Sequence, residues 1–82
     1  MQKSVFSDAH AAIVEMLIAL RKERGVSQGE LAARIGRSQQ IVSYIERGDR
    51  RIDVVEFCEI VLALEGDPAA LIASVIEPMR RP

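Results

Sequence analysis

A single glycine does more than any other residue to limit the folds open to this chain. Within residues 27–48, SQGELAARIGRSQQIVSYIERG, Gly36 is the hinge between two short amphipathic segments, each opened by a serine. Ser27-x-x-Glu30 is a capping box, in which each side chain satisfies the other residue's orphan backbone N–H. Leu31 and Ile35 are the apolar contacts of that segment. Gly36 follows where left-handed backbone costs a residue bearing a Cβ more than it costs glycine. Ser38 caps the next segment, with Ile41, Val42 and Ile45 as apolar positions, and Gly48 ends it. A turn this short forces a sharp crossing, not an antiparallel hairpin. Ala32, one turn before the glycine, supplies the small residue that such a close approach needs. Leu31, Ile35, Val42 and Ile45 then point into the corner, which leaves Gln39, Gln40, Ser43, Tyr44 and Arg47 on the outer face.

The remaining punctuation is also helical, since apolar residues recur at a 3.6-residue period and no stretch alternates at period two. A first helix starts near Ser7 or Asp8, presents Ile13, Leu17 and Leu20 with Val14 and Ile18 beside them, and stops at Gly25. A polar, basic loop of Asp49, Arg50 and Arg51 leads to a fourth helix. Asp53-x-x-Glu56 opens it as a second capping box, Phe57, Cys58, Val61 and Leu64 run along it, and Gly66 closes it. Asp67-Pro68 starts a fifth helix, because Asp caps and proline at the first helical position loses no needed hydrogen bond. Pro78 is expected to stop that helix near Glu77, with a frayed basic tail from Met79 to Pro82. The expectation is one all-α domain of five short helices over residues 1–82, with the hinged pair at about 27–47 and the last two helices at about 53–77.

Eighty-two residues, about half of them apolar, suffice for one compact core without metal or disulfide. One cysteine, Cys58, rules out an internal disulfide framework and fits a reducing cytoplasm. Residues 1–10 lack the apolar stretch of a signal peptide, and no uncharged run is long enough to span a membrane. The net charge is −1 but unevenly placed. Residues 21–51 hold eight basic and four acidic residues, while residues 52–82 hold six acids against Arg80 and Arg81. Such polarity suggests an anion-facing end and a different role for the other.

The residues LRKERGVSQGELA, the hinge Gly36, SQQIVSYIERG and the trailing DVVEFCEIVLAL-x-x-DPAAL together resemble the helix-turn-helix of the phage-repressor family (Cro/cI type, also called XRE), from about Leu17 to Leu71. The resemblance implies a lambda-repressor-like fold and binding of double-stranded DNA, with the start of the third helix in the major groove. A glutamine amide offers a donor and an acceptor together and so matches the adenine N6/N7 edge. Gln39 and Gln40 are therefore the expected base readers, with Ser43 one turn on and Tyr44 either on a phosphate or packed on a neighbour. Gln28, Arg37, Ser38, Arg47, Arg50 and Arg51 are the expected phosphate contacts, which supply affinity and register without sequence information. Gln28 is also positioned to brace Gln39 through an amide–amide hydrogen bond. Arg21 and Glu46 resemble the family's structural ion pair, which would remove Arg21 from the DNA contacts despite its charge.

The last two helices carry more apolar residues than a small bundle readily buries. At least half complete the core, and the surplus, with Leu71, Ile72, Val75 and Ile76 as candidates, is expected to form a two-fold dimer contact matching a pseudo-palindromic operator. His10 reads as a surface residue and Cys58 as a small core or interface residue. With one histidine and one cysteine there is no metal constellation, and no nucleophile–base pair, phosphate cradle or paired carboxylates argue for a cofactor or an enzyme. The favoured reading is a cytoplasmic homodimeric DNA-binding transcriptional regulator acting as a repressor by occupancy. The alternatives are an antitoxin that binds a toxin or other protein partner through the apolar end, and a protein-interaction module that keeps the fold without binding DNA.

Overall fold

The computed structural model describes residues 7–80, which form five helices: α1 (Asp8–Glu23), α2 (Gln28–Ile35), α3 (Gln39–Glu46), α4 (Val54–Ala63) and α5 (Pro68–Met79). Ser7, Ser27, Ser38, Asp53 and Asp67 cap them in turn, each side chain accepting from a backbone N–H of the first turn. Both capping boxes are complete, with Glu30 and Glu56 reaching back to the backbone N–H of Ser27 and Asp53. No helix among the described residues is long and apolar enough to cross a membrane.

The corner between α2 and α3 is the tightest joint. Gly36 takes the left-handed conformation, φ 69° and ψ 32°. Its N–H bonds Ala33 O while that of Arg37 bonds Ala32 O, so two end carbonyls of α2 are satisfied in a Schellman turn. Leu31, Ala32, Val42 and Ile45 are all buried at the corner, and Ile35 and Ile41 pack against them. Leu17 of α1, Phe57, Ile60 and Val61 of α4, Leu64 just after it, and Val26 and Ile52 from the loops close the core around this pair.

Polar contacts lock the same corner from outside the core. Arg21, in the last turn of α1, donates through Nε and Nη2 to the two carboxylate oxygens of Glu46 at 2.7 and 2.8 Å, and through Nη1 to Val26 O at 2.9 Å. Gln28, the first residue of α2, donates to Glu46 Oε1 at 2.9 Å. One carboxylate thus ties together three helices. The expected Gln28–Gln39 brace is replaced by this bond, because Glu46 is the stronger, charged acceptor. Arg24 Nε and Arg34 Nη1 donate to Leu64 O and Ala63 O, filling carbonyls that α4 leaves open at its C-terminus.

Three local expectations need correction. The turn after α4 has the same Schellman pattern as the one after α2, but the left-handed residue is Glu65 (φ 62°), not Gly66. Gly66 is needed for space. A Cβ there would sit 2.9 Å from Val61 Cγ1 and 3.0 Å from Leu20 Cδ2, so glycine is required one residue later and the strain falls on Glu65. Pro78 does not stop α5. It lies in the last turn, and Arg80 N–H closes the helix on Ile76 O and Glu77 O, so Met79 is helical and not part of a frayed tail. Arg81 and Pro82 lie outside the described residues. His10 is half-buried instead of a surface residue: its Nε2 accepts from Ile52 N–H at 3.2 Å, which ties α1 to the loop before α4. Burial, followed by the charge of Arg51, lowers its pKa and favours the neutral ring that this bond requires.

Two sets of variants test this scheme by chemical denaturation. Arg21→Met leaves Glu46 largely buried without its cation and is expected to cost about 3 kcal/mol; a variant as stable as the parent refutes the lock. Gly66→Ala should destabilise by about 1–3 kcal/mol through overpacking. Its neighbour should do the opposite, with Glu65→Gly stabilising by roughly 0.5–1 kcal/mol as the left-handed strain is relieved. Equal signs at the two positions would show that space and strain have been assigned to the wrong residues.

Candidate nucleic-acid interface

Helix α3 shows two different faces. Val42 and Ile45 are buried at 1 % and 3 % exposure, whereas Gln39 and Gln40, at its first two positions, are exposed and Ser43 and Tyr44 half-exposed. Ser38 spends its hydroxyl on the cap, accepting from Ile41 N–H at 3.3 Å. The outer face is internally ordered. Gln40 Nε2 donates to the Tyr44 hydroxyl at 2.8 Å, and the Arg47 guanidinium lies over the Tyr44 ring, 5.1 Å from its centre. Tyr44 therefore uses both its hydroxyl and its ring within α3. The bond occupies one of the two amide hydrogens of Gln40, so a donor and a carbonyl acceptor remain on that side chain. Gln39 lies beside Gly29 of α2, where an added Cβ would meet its Oε1 at 3.5 Å.

The basic residues divide by partner. Arg21, Arg24 and Arg34 complete the fold, as described above. Arg47 is exposed and pairs with Asp49 at 3.0 Å, and Arg51 is exposed in the loop that follows. Arg37, just before α3, and Arg50, just after it, converge on Glu56 of α4. Arg37 Nη1 donates to Glu56 Oε2 at 2.9 Å, and Arg50 Nη1 and Nη2 donate to Oε1 and Oε2 at 3.0 and 2.6 Å. Arg37 also reaches Glu59, at 3.3 Å. Hydrogen bonding from Arg50 outweighs burial and holds the Glu56 carboxyl below its ordinary pKa, and the same bond raises that of Arg50. Glu56 is 3 % exposed, the one buried charged residue among the described residues. Sequence reasoning recognised it only as a capping residue. The available signal was an acid within a helix turn that also carries Phe57 and Ile60, hence a carboxylate facing the core side.

Of the four residues considered for a dimer contact, Val75 is buried and Leu71 packs against the chain's own core. Ile72 is half-buried and Ile76 is exposed. Together with Ala69 and Met79 they sit at helical spacing along α5. Beside Ile72 an open apolar groove of about 490 Å³ runs between α1, α4 and α5, lined by Ile13, Ile52, Val54, Phe57 and Pro68 among others. Cys58 lines it too, with its thiol free.

Comparison with known proteins agrees with this architecture. A helix-turn-helix family model matches residues 17–71. Over 45 residues, 55 % of this chain, the sequence is 47 % identical to an uncharacterized HTH-type transcriptional regulator, y4dJ, of Sinorhizobium fredii, and the match spans 58 % of that protein's length. An XRE-family like protein from Pseudomonas syringae pv. tomato shares the fold with a TM-score of 0.82 at 38 % identity, over 89 % of this chain and 88 % of that one. The restriction-modification controller protein C.Esp1396I, solved as a tetramer in complex with its natural 35 base-pair operator, has a TM-score of 0.78 at 21 % identity over 93 % of this chain and 100 % of its own, a likeness of fold. From its glycine-hinged corner to its fifth helix, this chain belongs to the XRE family of helix-turn-helix DNA-binding transcriptional regulators.

Proposed function

We propose that this protein is a sequence-specific repressor that reads the major groove of double-stranded DNA with α3 and does so as a homodimer. The observation that carries this reading is the pair of exposed amides, Gln39 and Gln40, on the leading turn of a helix whose other face is anchored by Val42 and Ile45. An amide presents the donor–acceptor pair that an adenine edge matches. The Tyr44 hydroxyl holds the Gln40 amide in a defined orientation before DNA arrives, which lowers the entropy lost on binding. Ser43 follows on the same face, and Tyr44 contributes through its order with Gln40 and Arg47. Gln28, Arg37, Ser38, Arg47, Arg50 and Arg51 surround this face and contact phosphates, which sets affinity and register.

The dimer forms through the outward stripe of α5, Ala69, Ile72, Ile76 and Met79. Packed antiparallel about a two-fold axis, the stripe of one copy covers Ile72 and the adjoining groove of the other. Two recognition helices then meet half-sites about one helical turn, ~34 Å, apart on a pseudo-palindromic operator. The controller protein C.Esp1396I, which shares the fold, is a tetramer in complex with its natural 35 base-pair operator, and this supports an oligomeric reading. Occupancy of the operator accounts for repression. The same apolar groove also suits a protein partner such as a toxin, and light scattering separates the two occupants: a monomer at tens of micromolar removes the homodimer and leaves the partner.

Selection of bound duplexes from a random pool, followed by fluorescence anisotropy across a salt series, tests the DNA reading directly. Affinity should fall steeply with salt, with a logarithmic slope of about −0.9 per phosphate contacted. Gln40→Ala or Gln39→Ala should cost about 1–3 kcal/mol and relax discrimination at one base pair. Arg47→Ala should weaken all sequences alike. A parent protein that enriches no sequence and shows no salt-dependent binding overturns the proposal.

A further inference from the structure

We propose that Glu56 is a positioning residue of the DNA-facing surface: its buried carboxylate holds Arg37 and Arg50 as one preset pair of cations bracketing the recognition helix. The inference rests on the DNA-binding reading above and adds to it a residue that touches no DNA. Arg37 lies in the turn that precedes Ser38, the cap of α3, and Arg50 in the loop that follows the helix. They are far apart along the chain's path around α3, yet both end on the same carboxylate of α4, through three hydrogen bonds of 2.6 to 3.0 Å. Glu56 is itself fixed, because Oε1 also accepts from Asp53 N–H at 3.2 Å and its backbone N–H donates to Asp53 Oδ1 at 2.7 Å.

The exposure of the three partners gives this cluster its meaning. The Glu56 side chain is 4 % exposed, while those of Arg37 and Arg50 are 36 % and 33 % exposed. The anion is withdrawn from solvent and each cation shows one edge to it. A guanidinium carries five N–H groups, so one or two bonds to Glu56 leave others to meet a phosphate. Counted with the more exposed Glu59, which also meets Arg37, the cluster sets two cations against two anions, so what it offers a phosphate is oriented guanidinium N–H groups and not an excess of charge. Arginine is normally one of the costliest side chains to order. Here the rotamers are already set in the free protein, so DNA binding does not bear that cost again.

Simple electrostatics and positioning predict opposite outcomes for the same substitution. Glu56→Gln removes a negative charge beside the DNA face while keeping volume and the capping acceptor. If charge alone matters, affinity for every duplex rises. If Glu56 positions the arginines, affinity for the selected duplex falls about tenfold while that for a random duplex is unchanged or higher, because register is lost but attraction is not. Arg50→Lys guards against a Glu56 variant that fails to fold, since it keeps the charge and loses the two-pronged grip; it too should weaken the selected duplex and spare the random one. Arg50→Ala should then weaken the selected duplex about tenfold in the parent background and less than about threefold beside Glu56→Gln, a coupling that a merely stabilising carboxylate would not produce. All variants are compared at a temperature where circular dichroism shows them folded. Equal strengthening of both duplexes by Glu56→Gln, or parent-like discrimination in Arg50→Lys, overturns the inference while the DNA reading stands. A parent protein with no DNA affinity overturns both.

Discussion

The geometry of the outward face of α3 depends on one carboxylate, that of Glu46, and on the arginine that meets it from another helix. Arg21 reaches Glu46 with two parallel hydrogen bonds, and Gln28 adds a third. Those contacts join the end of α1, the start of α2 and the end of α3. The apolar corner at Leu31, Ala32, Val42 and Ile45 supplies the attraction between α2 and α3, but apolar packing is non-directional. A bidentate charge-assisted contact has a required orientation. With the corner holding one side and Glu46 the other, α3 has little freedom to roll, and its outward face is defined by what the inward face has used.

The arginines of this small domain serve two ends. Arg21 of α1, Arg24 just after it and Arg34 of α2 are consumed by the fold, on Glu46, Val26 O, Leu64 O and Ala63 O. Those around α3 remain partly open to solvent. Electrostatic polarity read along the chain therefore overstates the charge offered to an anion and misplaces part of it. The acidic C-terminal half is not separate from the basic segment, because Glu56 and Glu59 reach across to it and order it.

The opposite end of the molecule presents a different balance. Val54, Val55, Leu62, Ile76 and Met79 are exposed large apolar side chains, at 78, 63, 62, 38 and 65 %. Val54 also lines the apolar groove, beside Phe57 and Ile72. The core itself is complete without them, since Val61 and Leu64 have no exposure at all. Surface apolarity here is a surplus over what the core needs.

Much of this was legible in the residues alone. Caps, capping boxes and the hinge glycine are local chemistry: Ser27 with Glu30, Asp53 with Glu56 and Gly36 act through neighbours three or four residues away, so their roles follow from spacing. The outward residues of α3 follow by subtraction from the helical period. Contacts between distant segments were not available in that way. Gly66, one residue past the left-handed Glu65, has no room for a Cβ beside Leu20 and Val61, and His10 is held by a backbone N–H forty-two residues away. Arg37 and Arg50 meet on Glu56 because three segments converge there. Sequence by itself determined the helices, their ends and the corner, since those depend on near neighbours; tertiary structure alone decided which charges are spent and which are offered, because a salt bridge depends on distance in space and not along the chain.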